Sequence, residues 1–190
     1  MSGDVKAYSE RYLKETVESL SGSYITEGLQ KLAPILKKAR ESGGTVFFFG
    51  NGGSASTASH LANDLAKLTI KEGAKRYRCI SLSDPLPTIL AWANDASYAD
   101  IFCEQLKNLG KAGDVAIGIS GSGNSPNVLK GLEEARRLKM TTVGLIGMGG
   151  GKMKDLCDVK VIVPSQNMQH IEDLHLLIGH VLTACLRDVD

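Results

Sequence analysis

Residues 115–139 read VAIGISGSGNSPNVLKGLEEARRLK, and the fold turns on how this stretch is read. Val115 to Ser120 is a short continuous apolar run, the pattern of a strand buried on both faces. From Pro126 to Lys139 apolar residues return at helical spacing among charged ones, with proline at the first helical position, where its missing N–H costs nothing. Between the two lies a turn of alternating glycine and serine. The unit is strand, small-residue loop, helix.

The same unit recurs on either side. TVFFF (45–49) precedes a helix beginning near Ser56, RCISL (78–82) precedes one from Pro85 to Asn94, and VKVIV (159–163) precedes one from Met168 to Arg187. TTVGLI (141–146) runs instead into a glycine-rich connection, GMGGGKM at 147–153. Strands joined by crossover helices imply a mainly parallel sheet covered on both faces. Before the first strand the pattern is helical. Tyr8, Tyr12, Val17 and Leu20, then Ile25, Leu29, Leu32, Ile35 and Leu36, recur near three-to-four spacing, with Ser21–Gly22–Ser23 breaking the run into two helices. The expectation is an α/β three-layer α-β-α sandwich with a five-stranded parallel sheet and N-terminal helices. It forms one domain over 1–190: 1–44 the N-terminal helices, 45–190 the α/β core.

Composition narrows the function. With 22 basic and 21 acidic residues the net charge is +1. That lacks the basic excess by which nucleic-acid and membrane-surface proteins declare themselves. No apolar run approaches the ~20 residues of a membrane span, and MSGDVKAYSE lacks the apolar core of a signal peptide. The four cysteines, Cys79, Cys103, Cys157 and Cys185, form no CxxC pair and read as reduced thiols. The expectation is a cytoplasmic protein.

Two loops at strand ends carry chemistry. One is Gly50–Asn51–Gly52–Gly53–Ser54; the other is the ISGSGNSPN turn, with Ser120, Ser122 and Ser125 around Gly121 and Gly123. Glycines let the backbone approach a ligand closely, and free N–H groups at a helix start favour negative charge. Serine hydroxyls add donors without bulk. Together they suit a phosphate ester. Neither loop is GxGxxG or ends in GK[ST], so no nucleotide motif is present. The 147–153 cluster lacks hydroxyls and reads as a connection.

GNGGSASTASHLAND (50–64), AWANDASYADIF (91–102), GDVAIGISGSGNSPNVLKGLEEAR (113–136) and IEDLHLLIGH (171–180) resemble, in order and spacing, the sugar isomerase (SIS) domain family, in its phosphoheptose isomerase branch. The resemblance covers nearly the whole chain. It implies a homotetramer with active sites between subunits, and conversion of sedoheptulose 7-phosphate to D-glycero-D-manno-heptose 7-phosphate, the aldose used in activated-heptose biosynthesis. Carried over by position, Ser54, Ser120, Gly121, Ser122 and Ser125 hold the phosphate; Asn51, Gly52 and Gly53 line the sugar; Asn94 and Asp95 face it. His60, Asp64, Glu172 and His180 fall where the family binds a divalent metal, commonly zinc, with Glu172 also touching substrate and Asp64 and His180 acting as base and acid. Here Asp64 replaces the family's usual glutamate and Glu172 its usual glutamine. The family's arginine–aromatic pair after the helix is missing; the chain reads AKLTIKEG there.

The residue types suit an aldose–ketose isomerisation, in which a proton moves between adjacent carbons through an enediol or enediolate. His60 and Asp64, four apart, share one helix face. Glu172 and His180 lie on the flank of an apolar stripe, about 80° apart around the last helix and about 12 Å apart along it. That separation is hard for one ion to bridge. His175 sits at the stripe's edge, where a buried structural role is expected. Alternatives of other classes are a non-catalytic SIS relative binding a protein partner, as the DnaA initiator-associating protein does, a sugar-phosphate-sensing domain, and an isomerase for a different ketose phosphate.

Overall fold

The structure, a computed structural model, describes residues 4–189. Two helices lead: α1 (Val5–Leu20), capped by Asp4 accepting from the Lys6 N–H, and α2 (Tyr24–Ser42). Then β1 (Thr45–Gly50), α3 (Gly53–Leu68), β2 (Arg78–Ser81), α4 (Leu86–Asp95) and α5 (Cys103–Leu109) follow. The chain continues through β3 (Val115–Ser120), α6 (Pro126–Arg137), β4 (Thr141–Ile146), β5 (Val159–Ile162) and α7 (Met168–Asp188).

The five strands form one sheet in the order β2-β1-β3-β4-β5, every pair parallel. Successive side chains on a strand point to opposite faces, so each strand feeds two cores. Phe48, Ile117, Ile119 and Leu145 pack with α2, α3 and α7, whereas Phe47, Phe49 and Ala116 pack with α5 and α6 on the other face. β1 and β3 are buried along their whole length, which is why they read as continuous apolar runs.

One feature departs from the sequence reading: α5 is a helix it does not contain. α1 forms where the helical spacing places it, yet it buries no residue: Val5 is 79% exposed, and Leu13 and Val17 are each 63% exposed. Its tie to the body includes Tyr12, which donates from its hydroxyl to Asp173 at 3.1 Å and sets its ring edge-on to His170.

Against the β1–β3 side, α3 and α7 pack closely. Gly179 of α7 sits on Leu61 of α3, and an added Cβ would run into the leucine methyls. Glycine is required there by space.

No helix among the described residues is long and apolar enough to cross a membrane. The cysteines are free. Burial drives the thiols of Cys79 and Cys157 up to about 12, so the thiolate form needed for metal binding or disulfide exchange is absent near neutral pH.

Candidate active site

From β1 the chain crosses to β2 on one side; from β3 it continues to β4 and β5 on the other. The gap between the carboxyl ends of β1 and β3 is therefore the point where strand order reverses, the place where open α/β sheets bind ligands. Both candidate loops lie there. They enclose a cavity of about 240 Å³ lined by Asn51, Gly52, Gly53 and Ser54 from the first loop and Ser120, Gly121, Ser122 and Ser125 from the second. α7 closes it with Met168 and Glu172. A wider hollow of about 660 Å³, lined by Ser59, Cys79, Ser81 and Asp84 among others, lies along β2; it lacks the two loops and their helix N-termini.

The loops are tied internally and to each other. Ser120 Oγ accepts from the Gly123 N–H at 3.1 Å and shares a proton with Ser125 Oγ, also 3.1 Å away. Asn51 and Asn127 form a reciprocal amide pair: Asn51 Nδ2 donates to Asn127 Oδ1 at 2.9 Å, and Asn127 Nδ2 donates to Asn51 Oδ1 at 2.7 Å. The Tyr98 hydroxyl donates to the same Asn51 Oδ1 at 2.9 Å. Sequence reasoning singled out neither Asn127 nor Tyr98; the available signal was an asparagine directly after the Ser–Pro helix start. The 147–153 connection braces the serine loop from behind, with the Met153 N–H donating to the Gly123 carbonyl and the Lys152 N–H to Asn124 Oδ1.

Two helices leave this cavity. α3 starts at its rim with Ser54 and carries His60 about 9 Å further along its axis; α7 starts at Met168 and carries His180. They converge on a second cluster. Asp64 Oδ2 lies 3.2 Å from His60 Nε2 and 3.7 Å from His180 Nε2, and the two imidazole nitrogens are 2.9 Å apart. The Gly179–Leu61 contact, one residue from each histidine, permits this approach. The Asp64 side chain is largely buried, while both histidines are about half exposed. Two imidazoles and a carboxylate converging within 4.8 Å are a donor set of the type that holds zinc. The residues fit a divalent ion.

Glu172 is not part of this trio. It lies about 12 Å back along α7, its carboxylate against Gly53 in the loop cavity. Asn94 and Asp95 are also elsewhere: both are exposed at the end of α4, with Asn94 Nδ2 donating to Asp95 Oδ1 at 2.7 Å, and neither lines the loop cavity. His175 is fully buried, its ring nitrogens without a hydrogen-bond partner. Burial pushes its pKa down to about 4; the nearby Ile146 carbonyl pulls weakly the other way without full hydrogen-bond geometry. A neutral core histidine is the result.

Similarity to known proteins runs the length of the chain. The SIS domain family matches residues 9–147. A phosphoheptose isomerase from Paramagnetospirillum magneticum is 41% identical over 177 residues, covering 92% of each chain. One from Helicobacter pylori is 42% identical over 174 residues, covering 91% of this chain and 89% of the other. Among solved structures, the phosphoheptose isomerase of Neisseria gonorrhoeae superposes with a TM-score of 0.91 at 27% identity, over 98% of this chain and all of that one.

Proposed function

The chain belongs to the SIS domain family, and on that premise we propose that it is a phosphoheptose isomerase converting sedoheptulose 7-phosphate to D-glycero-D-manno-heptose 7-phosphate. One observation carries the reading. α3 and α7 both run from the loop cavity to the His60–Asp64–His180 cluster, so an anion gripped at one end places the far end of an extended sugar chain at the other.

In this reading the hydroxyls of Ser54, Ser120, Ser122 and Ser125 and the amide of Gly121 bind the phosphate, while Asn51, Gly52 and Gly53 line the sugar. The bound ester fixes the carbon chain, turning a collision into a positioned encounter. Asp64 takes the proton from C1 of the ketose while O2 gains one, giving the enediol. Loss of the O1 proton and protonation at C2 then yields the aldose. Asp64 Oδ2 faces the imidazoles, and its other oxygen has only a long 3.5 Å contact from Asn63 Nδ2, which leaves it open to accept a proton. His180, half exposed beside it, hands protons to and from the oxygens. His60, Asp64 and His180 hold a divalent ion, zinc, with Glu172 turned instead to the substrate. When bound, that ion supplies Lewis-acid polarisation of the carbonyl.

The catalytic unit is a cytoplasmic homotetramer of single-domain chains spanning 1–190. One observation supports assembly: α1 shows an apolar face with no cover. In the assembly so proposed, a second chain brings Asn94 and Asp95, which do not line the loop cavity of their own chain, to the substrate.

Incubation with sedoheptulose 7-phosphate in deuterated water, with and without zinc, tests the reaction. Deuterium at C2 of the aldose product is expected. Absence of product from sedoheptulose 7-phosphate and other ketose phosphates, in zinc-loaded protein, overturns it.

A further inference from the structure

A serine at a helix N-cap ordinarily accepts from an N–H of the first turn. Ser125 caps α6 in extended geometry, yet its side chain makes no such bond. The donor it would serve, the Val128 N–H, goes instead to the Asn127 side chain, at 3.0 Å to Oδ1. Ser125 Oγ is thereby released and turns to Ser120 Oγ and the cavity. Asn127 itself is 1% exposed, and its remaining polar atoms are committed as well. Nδ2 donates to Asn51 Oδ1, and Oδ1 also accepts from Asn51 Nδ2.

The consequence reaches the other loop. Asn51 Oδ1 takes two donors, Asn127 Nδ2 and the Tyr98 hydroxyl, which uses both lone pairs. The Asn51 carbonyl has no capacity left for substrate; only one amide hydrogen remains. The Asn51 side chain is thus a strut that can meet the sugar only through that one amide hydrogen, and the rest of the loop meets the ligand through its backbone and Ser54.

We propose that Asn127 is a positioning residue for phosphate binding: it caps α6 in place of Ser125, freeing that hydroxyl for the ligand, and through Asn51 holds the two loops in register. This rests on the loops being the phosphate site. Asn127 touches neither phosphate nor the reacting carbons.

Asn127→Asp separates the two jobs. It keeps an acceptor for the Val128 N–H but replaces the donor to Asn51 with an oxygen. The grip on the phosphate acts equally on substrate and transition state, so its loss appears in KM rather than kcat. Expected for Asn127→Asp are a KM for sedoheptulose 7-phosphate and a calorimetric dissociation constant for inorganic phosphate each raised about tenfold, with kcat within twofold. Asn127→Ala, losing both jobs, weakens phosphate binding further. Asn127→Asp that melts like the parent chain and binds inorganic phosphate with unchanged affinity overturns the proposal, as does a fall in kcat at constant KM. Should both Asn127 variants fail to fold, Tyr98→Phe decides. Tyr98 is 56% exposed and its hydroxyl donates to Asn51, so a two- to fivefold weaker phosphate affinity is expected and an unchanged one refutes the strut. If the parent chain itself binds no inorganic phosphate, or binds it equally after Ser122→Ala, the loop assignment has failed rather than the role of Asn127.

Discussion

His60 Nε2 and His180 Nε2 stand 2.9 Å apart on two different helices, 120 residues apart in sequence. Without an ion, one nitrogen must donate to the other. With a divalent cation between them both present lone pairs, and Asp64 completes the charge balance. Replacing His60 with alanine removes one of three converging donors while leaving α3 intact. Metal analysis of the purified variant is expected to show zinc falling from near one equivalent per chain to a small fraction, with kcat/KM down at least a hundredfold. A His60→Ala protein with full zinc content would refute the ligand assignment.

Asp64 carries the negative charge in this cluster and serves as the proposed base. Asp64→Asn keeps the shape but not the charge or the basicity, and kcat is expected to drop by about three orders of magnitude with the fold unchanged. Asp64→Glu keeps both and extends the reach by one methylene. Its zinc content should match the parent chain and its kcat stay within about tenfold. Steady-state rates beside metal analysis distinguish the two.

His175 makes stability depend on pH. Its folded pKa is about 4 because burial disfavours the charged ring, against 6.5 for an exposed imidazole. The unfolded chain therefore binds the extra proton first. The stabilisation is complete above about pH 6.5, declines as pH falls, and is exhausted below about pH 4, amounting to on the order of 3 kcal/mol. Urea melts from pH 7.5 to 4.5 should show that loss. In His175→Leu the part due to this group should vanish.

The uncovered stripe on α1 bears on assembly. Leu13→Ser with Val17→Ser replaces two exposed apolar side chains that touch no core cluster. Light scattering or sedimentation should show the parent chain as a tetramer and the double variant as smaller species, with activity falling at low protein concentration. A double variant with unchanged mass and activity would remove α1 from the interface.

Much of this was legible in the chain. Strands such as TVFFF and VAIGIS lie inside a parallel sheet, buried on both faces, and so announce themselves as unbroken apolar runs. The loops between them showed their small residues plainly. What stayed hidden depended on distance. α5 is seven residues long, too short for helical periodicity to register. The apolar spacing of α1 gives a helix but not its cover, because periodicity reveals an apolar face without saying which chain covers it. Glu172 and His180 share a flank of α7, but only the packed helices show that one faces the loops and the other the histidine on α3. Asn127 looked like an ordinary helix start; its partners lie 29 and 76 positions away in sequence, at Tyr98 through Asn51 and at Asn51 itself.

The bare flank of Gly179 against Leu61 has a consequence for any attempt to redesign this enzyme. The bite of the two imidazoles is gauged by a neighbour that performs no chemistry and bears no charge. A survey limited to polar positions would pass over it, yet a single methyl there would wedge the helices apart and draw the two imidazoles away from each other. The spacing of the two imidazoles is accordingly adjustable from the hydrophobic side of the seam, by trimming or thickening Leu61, with His60, Asp64 and His180 left untouched.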